Sequence, residues 1–225
     1  SVASRGLGDV YKRQIEDFNH WIDAWTFFFN KEKSLVELDP NAALVSSVDK
    51  EGKPNARVIL VKTVSEEGFV FYTNYESQKG EELFANSKGH LTWYSRAQGV
   101  SIRVQGKVKK IDPKLSDEYF ASRDRNAQIS ANISKQSKNV ESREILDQEF
   151  QSFEKKFEGR DIPRPAHWGG VMIMPEKVEI WKSRDDYKTR LHDRIIFSYS
   201  ENKWNKSRLY PCLLYTSDAA DEGLG

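Results

Sequence analysis

"VSIRVQGKVKKI" (residues 100–111) decides the architecture of this chain. Val100, Ile102, Val104 and Val108 alternate with Ser101, Arg103, Gln105, Lys107 and Lys109. Successive side chains of a strand point to opposite faces, so one face here is apolar and the other solvated. One-sided alternation of this kind belongs to antiparallel sheets. Strands of a parallel sheet, covered by helices on both sides, read as unbroken apolar runs.

The neighbouring segments extend that sheet. "HLTWYS" (90–95) precedes it. Further upstream, "AALVSSVD" (42–49) passes through the turn-rich "KEGKPN" into "ARVILVKTV" (56–64), and "EEG" turns the chain into "FVFYTNY" (69–75). Short spacing and turn chemistry predict an antiparallel meander. "SQKGEELFAN" (77–86) reads as a short helix capped by Ser77. Phe18, Trp21, Ile22, Trp25 and Phe29 fall at helical spacing, predicting an amphipathic helix over 15–29. From Pro113 to about Gly159 the pattern is helical, ending with Ile145, Leu146, Phe150, Phe153 and Phe157 on one face. "WGGVMIM" (168–174), "KVEIWKS" (177–183), "RLHDRIIFSYS" (190–200) and "NKWNKSRLY" (202–210) close the sheet. The expectation is a single α+β domain over 15–211, built on an antiparallel barrel or strongly bent sheet.

Composition sets outer bounds. In 225 residues, 38% are hydrophobic and 12% aromatic, enough for a substantial core. A formal net charge of +1 provides no general attraction to nucleic acid or anionic membranes. No apolar run approaches a membrane span, and no secretory signal is visible, so a soluble cytoplasmic protein is expected. The lone Cys212 excludes an internal disulfide and any multi-cysteine metal site. Residues 1–14 and 212–225, which include "GDVYKRQ" and "CLLYTSDAADE", resemble translated adapter DNA and are expected to be non-native or disordered extensions.

Gly-rich phosphate loops, GxSxG and HExxH are all absent. His20, His90 and His167 are too scattered to suggest a metal site, and none is expected. Any nucleotide-like ligand must therefore be held by side chains. "RVILVK" (57–62) places Arg57 and Lys62 at the ends of an apolar strand. Five positions apart, they face opposite sides of a regular strand, so a shared ligand requires a bulge, a strand end or a second subunit. "YTN" followed by "SQK" (72–79) runs from a strand end into a helix N-terminus, a place where N–H groups and hydroxyls can cradle phosphate. Tyr119 and Arg123, four apart on one helix face, can grip a phosphate together. In "TRLHDRI" (189–195), a strand reading puts Arg190, His192 and Arg194 on one face, which is either a solvated surface or a pocket wall for an anion.

Taken in order, "RVILVK", "FYTNYESQKGEEL", "YFASR", "SKQS", "WGG", "VEIW", "RLHDR" and "RLYP" resemble the pyridoxamine/pyridoxine 5′-phosphate oxidase family over roughly residues 16–211. The resemblance implies an antiparallel split β-barrel with flanking helices, forming a homodimer with FMN at the subunit interface. It implies oxidation of pyridoxamine or pyridoxine 5′-phosphate to pyridoxal 5′-phosphate with O2 as acceptor; the charge balance for its part leads to the expectation of no nucleic-acid and no membrane partner. By similarity, Arg57, Val58, Lys62, Tyr72, Thr73, Gln78, Lys79, Gln136, Ser137, Trp181 and Arg194 contact FMN. Lys62, Tyr119 and Arg123 hold the substrate phosphate, while Arg190 and His192 lie by the pyridine ring as the catalytic pair.

The chain also departs from the family pattern. Gln78 stands where the family commonly has an arginine, Ser101 replaces a flavin-contacting glutamine, and Ala127 replaces a serine that helps to bind the substrate phosphate. "KSRDDYKT" (182–189) is longer and more charged than usual. Two alternatives therefore stand beside the oxidase: a related flavoprotein oxidase acting on another aromatic substrate, such as a phenazine precursor, and a non-catalytic flavin or pyridoxal-phosphate carrier.

Overall fold

The computed structural model describes residues 14–184 and 191–211. Arg190, most of the charged 182–189 segment, the C-terminal extension and all of the N-terminal one but Gln14 lie outside the described residues.

A 3-10 turn at Ile15–Asp17 precedes α1 (Trp21–Leu35). The helix starts later than the apolar spacing predicts. Phe18 and His20 are extended, and the His20 ring accepts from the Ile22 amide at 3.4 Å, which caps the helix at this point. There follow β1 (Ala42–Val48), β2 (Pro54–Ser65), β3 (Gly68–Asn74), α2 (Gln78–Asn86), β4 (Lys88–Ser95) and β5 (Val100–Lys110). The helical stretch divides into α3 (Pro113–Ala121), α4 (Arg125–Ile133) and α5 (Arg143–Lys156). Asp112 and Asp124 cap the first two by accepting from Lys114 and Ala127 amides. β6 (Trp168–Lys182), β7 (Asp193–Ser200) and β8 (Lys203–Arg208) complete the sheet.

The strand order is β3-β2-β1-β4-β5-β6-β7-β8, with β3 also pairing with β6. The first six strands thus form a closed antiparallel barrel flanked by helices, the split-barrel architecture expected from the sequence. One expectation needs correction: 168–174 and 177–183 are not two strands but one, β6. It changes partner around Pro175, pairing with β3 through Trp168–Ile173 and with β7 through Lys177–Lys182. A residue without an N–H is tolerated where one ladder ends and another begins.

The chain divides into two compact units. In the unit formed by Asn41–Leu91 and Gln105–Pro175, β1, β2 and β3 make the predicted meander. β3 is buried along its whole length except at Tyr72, and Phe69, Phe71, Val45 and Leu83 are sealed from solvent. Each such side chain contributes about 1.5–3 kcal/mol by leaving water. A second cluster joins Phe120, Ile129, Ala131, Ile162 and Trp168, with Phe150 and Phe153 of α5 and its C-cap Phe157 packed against it. The other unit contains α1 and the β6–β7–β8 ladders. There Trp25 meets Trp93 edge-on at 5.4 Å, and the buried Glu32 carboxylate accepts from Ser95 Oγ at 2.5 Å and Gln98 Nε2 at 2.7 Å. Among the described residues, no helix is long and apolar enough to cross a membrane, and no three His, Cys, Asp or Glu side chains group to hold a metal ion.

Candidate active site

The site is built where β3 runs into α2. Ser77 Oγ donates to the Asn74 carbonyl at 2.6 Å and accepts from the Gly80 amide at 3.3 Å, so the helix is capped as its sequence predicts. Gly80 lies against the backbone entering the helix: a Cβ there would sit 2.3 Å from the Tyr75 carbonyl oxygen. This close approach lets the first turn of α2 carry Lys79 inward.

Lys79 is 9% exposed. Its Nζ donates to Gln136 Oε1 at 2.6 Å, Thr73 Oγ1 at 3.1 Å and Ser77 Oγ at 3.3 Å. All three acceptors are neutral. Burial, with the nearby Arg57 charge as a second cause, lowers the Lys79 pKa to about 8. Asn74 Nδ2 donates to the Ser134 carbonyl at 3.3 Å, and the Gln78 amide donates to Ser137 Oγ at 3.3 Å. The loop after α4 is thereby pinned to the α2 N-terminus, with Ser137 in the left-handed region at φ 71°. That conformation costs a non-glycine residue about 1 kcal/mol and needs support from its surroundings. Gln78 contributes its backbone amide to this cradle, and its side chain is exposed.

A cleft of about 590 Å³ opens beside this cradle. Lys79, Thr73, Gln136, Lys62, Tyr72, Tyr119, Arg123 and Ala127 contribute to its lining, as do Val58 and Trp168. The volume falls within the range of small-molecule and cofactor pockets. Tyr72 and Tyr119 stack at 3.9 Å, and Trp168 continues the stack 5.4 Å from Tyr72. The Arg123 guanidinium lies 4.7 Å from the Trp168 ring centre. Its Nη1 is buried without a hydrogen-bond partner, and burial lowers the pKa of the group.

Arg57 is placed differently. Its Nη1 donates to Ser47 Oγ at 2.5 Å, and its Nη2 lies 3.4 Å from Glu82 Oε2. Glu82, itself buried, also accepts from Ser47 Oγ at 2.5 Å and Asn55 Nδ2 at 2.8 Å. Lys62 lines the cleft whereas Arg57 does not. Lys62 is the extra residue of a bulge, because Val61 pairs with Phe71 and Thr63 with Val70. The bulge that the spacing argument allowed is therefore present, at one of the two residues in question.

The other unit gathers Trp181, His192 and Arg194. Trp181 lies opposite Arg194 in the β6–β7 ladder, and the His192 ring meets its indole edge-on at 4.9 Å. β7 begins at Asp193, so His192 precedes the strand rather than alternating within it. His192 is 7% exposed; its Nδ1 accepts from the Arg184 amide at 3.3 Å, and Nε2 is buried without a partner. Trp181 Nε1 is likewise buried and unpartnered. Arg194 forms a two-pronged pair with Glu179, both contacts 2.9 Å, and reaches the Tyr210 carbonyl at 3.3 Å.

Glu82 and Trp168 were not singled out as site residues from the sequence. A signal existed for the first: Lys79, Gly80, Glu82 and Leu83 form the buried face of α2, so an acid occupies a position that helical periodicity reserves for the core. For Trp168 only the unusual "WGG" grouping hinted at close packing.

The closed barrel, its flanking helices and a polar cleft beside a helix N-terminus define a split-barrel protein. Solved structures of similar fold include PhzG of Burkholderia lata in complex with tetrahydrophenazine-1-carboxylic acid, with TM-score 0.80 and 21% identity over 94% of this chain and 100% of that one. Another is a pyridoxamine 5′-phosphate oxidase-related, FMN-binding protein of Nostoc punctiforme, with TM-score 0.69 and 14% identity over 86% and 98%. Residues 31–157 match the family described as pyridoxamine 5′-phosphate oxidase, and 168–211 match the pyridoxine 5′-phosphate oxidase C-terminal dimerisation region. The chain is 42% identical over 185 residues to the pyridoxine/pyridoxamine 5′-phosphate oxidase of Gloeothece citriformis, covering 82% of this chain and 85% of the relative. The enzyme of the same name from Leptospira biflexa is 41% identical over 187 residues, covering 83% and 87%. The chain belongs to the pyridoxamine 5′-phosphate oxidase family.

Proposed function

We propose that this chain is an FMN-dependent oxidase that converts pyridoxamine or pyridoxine 5′-phosphate to pyridoxal 5′-phosphate. O2 is the final electron acceptor and leaves as hydrogen peroxide; the amine substrate also consumes water and releases ammonia. One observation carries this reading. A single cleft presents a buried cation, Lys79, and a half-buried one, Arg123, whose Nη1 is sealed from solvent; the hydrogen bonds of Lys79 go only to neutral oxygens. The stacked rings of Tyr72, Tyr119 and Trp168 line the same cleft, so it suits flat, phosphorylated molecules.

The residues fit FMN. Lys79, Thr73, Gln136 and Ser137 would hold its phosphate at the α2 N-terminus, where the helix dipole also favours an anion. Val58, 67% exposed and paired with Leu44, offers an apolar sheet surface to the flavin ring. Bound FMN supplies a two-electron acceptor for the hydrogen leaving the substrate C4′ carbon. Tyr119, Arg123 and Lys62 would hold the substrate phosphate, orienting that carbon. Arg190, His192, Trp181 and Arg194 keep the roles that the family resemblance gives them, His192 offering Nε2 as its free hydrogen-bonding atom. The chain is read as a homodimer through its C-terminal dimerisation region, with FMN at the interface.

Ala127 favours a second reading, since it lines the cleft without the hydroxyl that family members use on the substrate phosphate. Arg123 would serve a carboxylate equally well, as another aromatic acid would require. Purified protein decides between them. The oxidase shows flavin absorbance and, under air with pyridoxamine or pyridoxine phosphate, forms aldehyde and peroxide in equal amounts. A protein without flavin contradicts the main reading, and bound flavin that neither substrate reduces anaerobically favours the second.

A further inference from the structure

Trp168 opens β6 beside the Tyr72–Tyr119 pair, and it lies deep enough to be 7% exposed. Its ring is nearly parallel to both tyrosines, at interplanar angles of 16° to Tyr72 and 5° to Tyr119. Gly169 and Gly170 permit this seat. A Cβ at Gly169 would sit 2.1 Å from the Tyr75 hydroxyl, and one at Gly170 would sit 2.2 Å from Ile111 Cδ1. Arg164 fixes the backbone by donating to the Trp168 carbonyl at 2.6 Å. The indole is thus a rigid plate held from behind.

Arg123 rests on that plate. The centre of its guanidinium lies 4.7 Å from the indole and 6.0 Å from the Phe120 ring. It follows α3 in the turn before Asp124, where the backbone alone would leave a long side chain many rotamers. No salt bridge is described for Arg123, and its Nη1 is buried and unpartnered. A guanidinium held by a ring face rather than a carboxylate keeps its N–H donors available for an anion. The Asp124 carboxylate also lines the cleft and favours the charged guanidinium, but its Oδ1 caps α4 by accepting from the Ala127 amide at 2.9 Å.

We propose that Trp168 is a positioning residue that sets the grip on the substrate phosphate, acting through Arg123. It orients the guanidinium by cation–π contact and aligns Tyr119 through the shared stack, making the site selective for a phosphorylated substrate. This rests on the function proposed above, in which Arg123 and Tyr119 hold that phosphate.

The test compares Trp168→Leu, Trp168→Phe and Arg123→Lys in the flavin-loaded protein, using pyridoxamine 5′-phosphate and pyridoxamine as substrates. Losing the contact in Trp168→Leu raises KM for the phosphorylated substrate about tenfold, with a much smaller change in kcat and no loss of flavin. The preference for phosphorylated over unphosphorylated substrate falls by a similar factor. Trp168→Phe, retaining a ring face, recovers most of it. An equal loss on both substrates, or flavin loss in parallel, would show that Trp168 is merely structural and overturn the proposal. Should Trp168→Leu not fold, the cycle between Trp168→Phe and Arg123→Lys reads the same coupling: additive effects overturn the proposal and non-additive effects support it. If wild-type protein oxidises neither substrate, the functional reading fails. Competition between inorganic phosphate and pyridoxal 5′-phosphate for the loaded protein then tests Trp168 by itself: weaker phosphate binding in Trp168→Leu supports the proposal, and unchanged binding overturns it.

Discussion

Lys79 and Gln136, 57 residues apart in sequence, meet at 2.6 Å between Nζ and Oε1. A buried ammonium hydrogen-bonded only to neutral oxygens is an incomplete arrangement: it carries a charge that a bound anion would balance. Its pKa of about 8 expresses that imbalance.

A pH dependence follows. The folded pKa of Lys79 lies below the ordinary lysine value of 10.5, so between about 8 and 10.5 the unfolded chain holds a proton that the folded one has released. In that window this residue makes the ligand-free protein more stable as pH rises. Anion binding does the reverse, because phosphate favours the protonated amine. The affinity of the ligand-free protein for FMN should weaken as pH rises through about 8, by up to about tenfold per unit for one coupled proton. Flavin-fluorescence titrations between pH 7 and 9.5 measure this, and Lys79→Met should both weaken binding and flatten the profile.

Gly80→Ala should release flavin before it unfolds the protein. The added methyl would sit 2.3 Å from the Tyr75 carbonyl oxygen, and neither backbone can yield without moving the first turn of α2. Overpacking of this kind costs about 1–3 kcal/mol. Flavin content after gel filtration, compared with the thermal midpoint of the ligand-free variant, separates the two effects.

Glu82→Ala should destabilise the fold by about 2–3 kcal/mol, less than the loss of a fully buried ion pair because Arg57 keeps some solvent contact. The change strands Ser47, Asn55 and Arg57, all of which meet this carboxylate. Glu82→Gln, which keeps a hydrogen-bonding oxygen, should cost less. Urea unfolding of the three proteins gives the order; an undiminished Glu82→Ala would mean that the network relaxes freely.

His192→Ala should reduce turnover by at least about tenfold while leaving flavin bound, the size expected for a lost proton-transfer or orienting group. Its Nδ1 is occupied by the Arg184 amide, so only Nε2 remains to act. Arg190→Ala should likewise impair turnover far more than flavin retention. Stopped-flow reduction under anaerobic conditions reads the chemical step directly, and equal loss of flavin and rate would mean that the roles are misassigned.

The sequence by itself determined the antiparallel character of the sheet and the stretches that are helical, but not that 168–182 is one strand or where α1 begins. Alternation at 100–111 and the turn residues between 42 and 75 specify antiparallel strands because side-chain direction has period two, a local property. Ser77 likewise marked the start of α2 through its capping chemistry. The family, too, was legible from short motifs in order; of the residues that the resemblance assigns, Lys62, Tyr72, Thr73, Lys79, Tyr119, Arg123 and Gln136 line one cleft.

Only the tertiary structure decided the rest. Regular alternation puts Arg57 and Lys62 on opposite faces, and a bulge at Lys62 is a property of the pairing between β2 and β3, not of β2 alone. Whether Arg57 turns to a ligand or to Glu82 depends on α2 packing against β1, which brings Ser47 and Glu82 together across 35 residues. Trp168 is one aromatic among many until folding lays Arg123 over it. In each case periodicity assigns a side chain to a face, whereas its partner comes from a distant part of the chain and is fixed only when the core closes.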